Sequence, residues 1–430
     1  MTDYMRVIIE GELQCLSDLH LGSGELWEEK GEGGAYNNVV LDHNGLPYIP
    51  GASLRGYLLE QLADAPNARK ILQGGEDAMG RLRVYDARLA AADWQAVKRS
   101  RVAIHAVTRT AAKNQLFKDR LVPRGSRFQL RLELDEICKP ELEALLQALH
   151  CIQADNPQAS LGGGKSLGRG RMSWEPKSVQ VLDEDAFIGW LEGEAPLEKA
   201  GWNHFNFEYT ANAGSFVERW DLTYCFHEPV LVNDPSIVER KKQPDDDKPD
   251  LRYMRTASGE LLIPGSSLKG VFRAWARRIL RTLCNEDDRA ETLLNSLFGS
   301  EHGMGALLWE DALAPKEKIT VHEQRIIAVD RFTGGVQQNA MLYLEAARVD
   351  KARGGLAFRD PLAPWQRALL RLLLRDAREG DLATGWGQAR GFGGFTLEVT
   401  SAPHWLEQTK GEEVEADFHD LETQCKGETQ

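Results

Sequence analysis

One phrase is written twice in this chain. Gly45–Leu62 reads GLPYIPGASLRGYLLEQL and Gly259–Ala276 reads GELLIPGSSLKGVFRAWA. Each is a short apolar strand, a Pro-Gly turn, a small hydroxyl-bearing residue, a cation, a glycine and then a helix. Ile49 and Ile263 stand 214 positions apart. Three more segments return in the same order. Gly80–Leu89 pairs with Gly305–Ala314 through Asp86 and Asp311, Arg101–Phe117 with Ile326–Leu342, and glycine-rich Gly162–Gly170 with Gly385–Gly393, at offsets of 225, 225 and 223. Near-constant spacing in a constant order means two copies of one folding unit, each large enough for its own core.

The copies are expected at residues 1–176 and 216–402, with an acidic connector at 177–215 and an acidic tail at 403–430. Neither a long apolar run nor a basic-then-apolar N-terminus occurs, so the reading includes no membrane span and no secretory signal. The six cysteines form no Cys-x-x-Cys pair and have no histidines at zinc spacing, which reads as free thiols in a reducing cytoplasm.

Hydrophobic spacing predicts strands at Val7–Leu16, Phe128–Leu134 and Trp220–Phe226, and helices at Ser53–Leu62, Pro140–Cys151, Ser266–Leu283 and Pro364–Arg378. A glycine loop and a final strand close each copy, at Arg171–Trp174 and Gly394–Val399. This order suits an α+β chain of two ferredoxin-like sheets with helices on one side and long insertions.

The net charge of −13 is unevenly placed. Glu407–Gln430 and Asp183–Glu198 each carry −6, so the remainder is near neutral, at −1. The tail is expected to be disordered or peripheral. Within Asp183–Glu198, Phe187, Trp190 and Leu191 have helical spacing, which reads as a cap on the first copy in preference to a dock for a neighbour. Lys98–Arg131 has ten Lys or Arg against one acid, Asp119. After the second phrase Lys269, Arg273, Arg277 and Arg281 recur every four residues, one stripe on a helix. A solvated helix face normally mixes signs; an unmixed one suits phosphate, because each neutralised phosphate releases counterions. The loops around Gly163, Gly164 and Lys165, and around Gly387 and Arg390, leave backbone amides bare for a phosphate chain, or simply make tight turns.

Together, the two Ile-Pro-Gly phrases, the Asp-Ala strands, Val329–Gly334 (VDRFTG) and the glycine loops resemble the RAMP superfamily, the backbone subunits of type III CRISPR effector complexes. The resemblance covers nearly the whole chain except connector and tail. It implies two tandem RRM-like palms, each with a β-hairpin thumb, at Lys98–Phe117 and Gln324–Leu342. It further implies partners: guide RNA, complementary target RNA and other subunits of the complex. Candidate RNA contacts are Ser53, Arg55, Arg101, Arg109, Lys113, Gly163, Gly164, Lys165, Ser267, Lys269, Arg273, Arg277, Arg331, Gly387 and Arg390.

Slicing members of the family place an aspartate shortly before the Ile-Pro-Gly phrase and use a divalent metal, Mg2+ or Mn2+. Thirteen residues before Ile263 stands Asp250; thirteen before Ile49 stands Tyr36. The resemblance therefore implies a catalytic and metal-binding Asp250 in the second copy, with Asp245, Asp246 and Asp247 able to substitute. In the first copy Glu28, Glu29 and Glu32 are weaker substitutes. Two alternatives accompany the ribonuclease reading: a non-catalytic scaffold, and a guide-processing endonuclease acting through His105.

Overall fold

The computed structural model of this 430-residue chain describes residues 2–28, 35–63, 65–75, 79–104, 111–153, 156, 160–193, 196, 200–208, 218–234, 248–284, 286–400, 403–408 and 410–427. The first half runs β1 (Tyr4–Cys15), β2 (Gly22–Trp27), β3 (Tyr36–Val39), β4 (Tyr48–Ile49), α1 (Gly51–Gln61), α2 (Pro66–Gln73), β5 (Leu82–Val84), β6 (Ala87–Leu89), β7 (Val97–Ile104), β8 (Ala111–Leu121), β9 (Arg127–Ile137), α3 (Lys139–His150), β10 (Met172–Leu182), α4 (Glu184–Leu191) and β11 (Asn203–His204). The second half runs β12 (Arg219–Phe226), β13 (Leu251–Arg252), β14 (Leu261–Ile263), α5 (Gly265–Leu283), α6 (Asp287–Phe298), β15 (Leu307–Trp309), β16 (Ala312–Ala314), β17 (Thr320–Val329), β18 (Val336–Arg348), β19 (Lys351–Phe358), α7 (Pro364–Glu379), β20 (Leu382–Ala383), β21 (Gly394–Thr400), α8 (His404–Glu407) and α9 (Glu412–Lys426).

Two main sheets carry the halves, and their strand orders superpose. The first reads β11-β10-β1-β9-β6-β4, with β5 also on β9; the second reads β14-β16-β19-β12-β21-β20, with β15 also on β19. From β10 to β4 and from β21 to β14 the order is last strand, first, third, second, the ferredoxin-like arrangement, and every one of these pairs is antiparallel. The strands form where side chains alternate: in β9, Phe128, Leu130, Leu132 and Leu134 point inward. Helix α3 opens on Pro140 and a back-bond from the Cys138 amide to Glu141 Oε2 at 2.7 Å. Each half has its own core. Ile9, Leu58, Phe128 and Leu145 anchor the first, and Trp220, Phe272, Trp309 and Phe395 the second.

Two smaller sheets stand beside these, β2-β3-β8-β7 in the first half and β13-β18-β17 in the second. Each contains a long antiparallel pair, β7 with β8 and β17 with β18.

Two segments differ from the compositional reading. Strand β10 continues through Leu182 and β11 adds to its edge, so the first sheet extends into the connector. The tail, expected to be disordered or peripheral, forms α9 packed against α7. Val414, Leu421 and Cys425 are buried, and Asp417 is 1 % exposed, bonded to Arg367 (2.5 Å) and Arg371 (3.1 Å). Net charge misleads here because α7 presents the complementary cations.

The halves meet asymmetrically. The first copy's glycine loop, with its 3-10 turn at Lys165–Leu167, docks at the start of α5: a Cβ on Gly168 would lie 2.7 Å from Glu310 Cα and Trp309 O. Around it, Arg171 pairs with Glu310 (2.5 Å) and Arg99 with both Asp18 and Asp311.

Candidate nucleic-acid interface

The repeated phrase and the repeated aspartate explain one another. Pro50 and Pro264 cap α1 and α5, and the first helical amides, Gly51 and Gly265, donate to Asp86 Oδ1 and Asp311 Oδ1, both at 2.8 Å. Each carboxylate satisfies an orphan amide at the positive end of a helix. A side chain at either glycine would strike a carbonyl, Val84 O or Trp309 O, 2.3 Å from its Cβ. Ser53 is exposed, whereas Ser267 is half-buried.

The cations of α5 are engaged within the chain. Lys269 Nζ donates to Ser166 Oγ at 3.2 Å, and burial, with Arg273 beside it, pushes its amine down to about 8. Arg273 donates to Gly299 O and Asn295 Oδ1, Arg277 forms a two-pronged pair with Glu291 (2.5 and 3.0 Å), and Arg281 pairs with Asp287 at 3.2 Å. Arg273, Arg277 and Arg281 thus face α6 and its end. In the first copy Arg55 closes on the end of α2, donating to Gln73 O at 2.8 Å.

The glycine loops keep one backbone in both copies. Gly162, Gly164, Gly168 and Gly170 take φ of 80°, 81°, 74° and 73°; Gly385, Gly387, Gly391 and Gly393 take 85°, 77°, 79° and 74°. The conformation is left-handed, which accounts for the matching glycines. Gly163 lies against His20, and Lys165 begins the 3-10 turn. Only the second loop is open: Gln388, Ala389 and Arg390 are exposed, with Arg390 over the Trp386 ring at 5.0 Å.

The paired strands carry the most conspicuous exposed groups. At the β17–β18 turn, Asp330 Oδ1 accepts from the amides of Phe332 (2.9 Å) and Thr333 (2.8 Å). Those bonds, Thr333 first, hold its carboxyl below the usual range. The turn presents Phe332 at 99 % exposure beside exposed Arg331. Apolar cross-strand pairs stand exposed at matching positions, Val102 opposite Leu116 and Ile327 opposite Met341. Arg101 pairs with Asp119 (2.8 Å) and lies over Phe117. Lys113 lies on β8, while Arg109 and His105 fall outside the described residues.

On β2-β3-β8-β7 a cation–aromatic cluster forms that sequence reasoning missed. Lys98 sits 5.1 Å from the Trp27 ring and 5.7 Å from Tyr36; Lys118 is 5.0 Å from Tyr36; Arg120 is 4.1 Å from Trp27 and 5.5 Å from Trp94. The cations were legible as a basic run, but the tryptophans that converge on them come from strands and loops distant in sequence.

Asp250 opens β13. Its amide donates to Tyr343 O (2.7 Å) and its Oδ2 accepts from the Tyr343 amide (2.8 Å). Strand register agrees with the count along the sequence: Asn37 pairs with Asp119 and Leu251 with Leu344, and 344 − 119 is the same 225 that separates Asp86 from Asp311. Tyr36 and Asp250 therefore hold equivalent places. Asp245, Asp246 and Asp247, like Glu29 and Glu32, lie outside the described residues, while Glu28 follows β2. Among the described residues three carboxylates converge within 4.8 Å, Asp376, Glu379 and Asp381, but at the end of α7, where Asp376 already accepts from Trp275 Nε1 and Arg375.

No helix among the described residues is long and apolar enough to cross a membrane. No curated protein matches the chain. The model of the RAMP superfamily matches residues 12–173 and again 205–396, the two halves that the paired sheets define; the chain belongs to that superfamily, whose members bind CRISPR RNA and work in multi-subunit complexes.

Proposed function

We propose that this chain is a guide-RNA-binding backbone subunit of a type III CRISPR ribonucleoprotein and that its second domain cleaves target RNA. The observation that carries the reading is the register shared by Tyr36 and Asp250: two equivalent positions, one apolar ring and one carboxylate, imply one cutting site in a paired grip. The hairpins support the grip, since Phe332, Ile327 and Met341 offer exposed apolar surface for unstacked bases.

In the cut, the target's 2′-hydroxyl attacks the adjacent phosphorus while the bond to the 5′-oxygen breaks. The products are a 2′,3′-cyclic phosphate and a 5′-hydroxyl: Asp250 accepts the nucleophile's proton or helps hold a metal, and water protonates the departing 5′-oxygen. Mg2+ is commonly held by one or two carboxylates with water and substrate phosphates, and a carboxylate oriented by the Tyr343 amide fits that donor set. Bound there, Mg2+ or Mn2+ would supply charge stabilisation to the phosphoryl oxygens. Asp245, Asp246 and Asp247 are the further carboxylates of the same segment.

The experiment is reconstitution with guide RNA and partner subunits, followed by mapping of cuts in a complementary RNA with Mg2+. Asp250→Ala, alone or with Asp245, Asp246 and Asp247 changed to Ala, is expected to erase one cut and preserve assembly. Undiminished cutting by the quadruple variant in an intact complex removes the catalytic assignment. It would leave a scaffold, the second reading, which the Tyr343–Asp250 bond favours because that bond already gives the carboxylate a structural task.

A further inference from the structure

We infer that Asp86, at the open end of the first domain, is the seat for an arginine of a partner protein, and that a second copy of this chain does not supply that arginine. The inference goes beyond the RNA-binding reading and holds whether or not the chain cuts RNA.

The joint between the halves shows what an aspartate at this place does. Asp311 Oδ1 accepts the first amide of α5, and its Oδ2 takes buried Arg99 of the first domain at 3.2 Å. The equivalent Asp86 caps α1 in the same way, with Oδ1 2.8 Å from the Gly51 amide. Among the described residues that bond is its only one. Asp86 is exposed and lines an open cavity of about 280 Å3 with Leu41, Asp42, His43, Tyr48 and Arg88. A water molecule's share of the liquid is about 30 Å3, so a guanidinium group fits there with water to spare. Arg88 lines the cavity too, but among the described residues it makes no ion pair with Asp86. Arginine suits the seat because its guanidinium is weakly hydrated and forks onto a carboxylate, as it does at the joint.

A second copy would present the surface around its second glycine loop, since the joint sets the first loop against the second phrase. There Gln324 stands in the place of Arg99: it lies opposite Leu344 as Arg99 lies opposite Asp119, across the same 225 residues. Gly394 stands in the place of Arg171, for it pairs with Ala383 as Arg171 pairs with Ser160. An uncharged amide and a glycine bring no cation to Asp86. On the receiving side Tyr85 replaces Glu310, the carboxylate that Arg171 meets at the joint. The two ends of the chain are therefore not complementary, although the first end keeps its carboxylate. A different protein with an arginine on a strand beside such a loop completes it.

The first test makes the chain its own partner. Gln324 is exposed and a Cβ at Gly394 meets nothing within 4 Å, so both positions have room for arginine. In sedimentation velocity the wild type is expected to run as a monomer. Gln324→Arg with Gly394→Arg is expected to form dimers and longer head-to-tail assemblies that KCl dissolves. Adding Asp86→Asn, which keeps an oxygen for the Gly51 amide and removes the charge, should weaken that assembly by roughly tenfold or more. Circular dichroism of each variant checks the fold. The second test uses the complex reconstituted with guide RNA and partner subunits. There Asp86→Asn should reduce the occupancy of one partner subunit by roughly tenfold in native mass spectrometry, with guide RNA still bound.

An arginine variant that stays monomeric, or that assembles as well with Asp86→Asn, shows that the seat takes no arginine. A wild type that assembles through Asp86 makes a second copy the occupant. A reconstituted complex that keeps every subunit with Asp86→Asn shows that no partner uses the seat. Any one of these results overturns the inference. The first test contains no RNA and neither test reads cleavage, so the proposed function stands or falls apart from it.

Discussion

Asp86 and Asp311 perform one task at two costs. Each accepts the first amide of its helix, but Asp311 also faces Arg99, which is 7 % exposed. Replacing an N-terminal cap costs about 1 kcal/mol, and stripping a carboxylate from a buried guanidinium costs roughly 3. Asp311→Ala should therefore destabilise about four times as much as Asp86→Ala in urea denaturation; equal losses would show that Asp18 alone satisfies Arg99. Titration offers a second residue-level check. Burial opposes ionisation of Asp119, yet Arg169, Asn37 and Arg101 overcome it and draw the carboxyl down to about 2. A folded pKa below the unfolded value of about 4 contributes stability that is complete above that value and lost as pH falls toward 2. Asp119→Asn should flatten this acid limb, measured as melting temperature against pH. Lys269 gives a slope of the same sign at the basic end: with its folded pKa near 8, below the unfolded ~10.4, stability should rise between those values, and Lys269→Met should abolish the rise.

At the scale of elements, what was legible followed from local pattern, and what was not depended on distant partners. Alternation in β1 and β9, leucine spacing in α3 and α7, and glycines at matching turns are short-range signals, and each element appears where its pattern lies. The partners of the α5 stripe were not legible, because Glu291, Asn295 and Gly299 sit on the next helix and its end, and nothing in the spacing of arginines announces their acceptors. The acidic tail misled for the converse reason: Arg367 and Arg371 of α7 wait for Asp417. In the candidate site the repeat exposed the equivalence of Tyr36 and Asp250, but not the ring cluster around Tyr36, which needs strand pairing to assemble. The tail helix carries its own prediction. Asp417→Ala leaves two guanidinium groups facing a buried void and should cost about 3–5 kcal/mol, with proteolysis of α9 at lower denaturant. An unchanged cleavage pattern would mean that Val414 and Leu421 alone secure the helix.

For the whole molecule, duplication supplied two copies of a docking surface, and only one pairing within the chain uses it. The first loop meets the second phrase with Arg99 and Arg171 opposite Asp311 and Glu310. At the equivalent places of the open surfaces stand Gln324 and Gly394, and Tyr85 replaces Glu310. The chain's two free ends therefore lack the ion pairs that join its halves. Gly168 and Gly391 make the joint measurable. Both hold the left-handed conformation, at 74° and 79°, so an alanine at either costs about 1 kcal/mol of backbone strain. Their surroundings differ. A Cβ at 391 meets nothing within 4 Å, whereas one at 168 comes to 2.7 Å from both Glu310 Cα and Trp309 O. Backbone cannot step aside as a flexible side chain can, so Gly168→Ala must part the domains or bend the loop, and either motion weakens the Arg171–Glu310 pair. Calorimetry should show a modest downward shift for Gly391→Ala. For Gly168→Ala it should show a larger shift, with the first domain's unfolding separating from the second's. The strain common to both variants cancels in their difference, leaving the contact between domains. Equal shifts would mean that the halves are held together by their covalent connection alone.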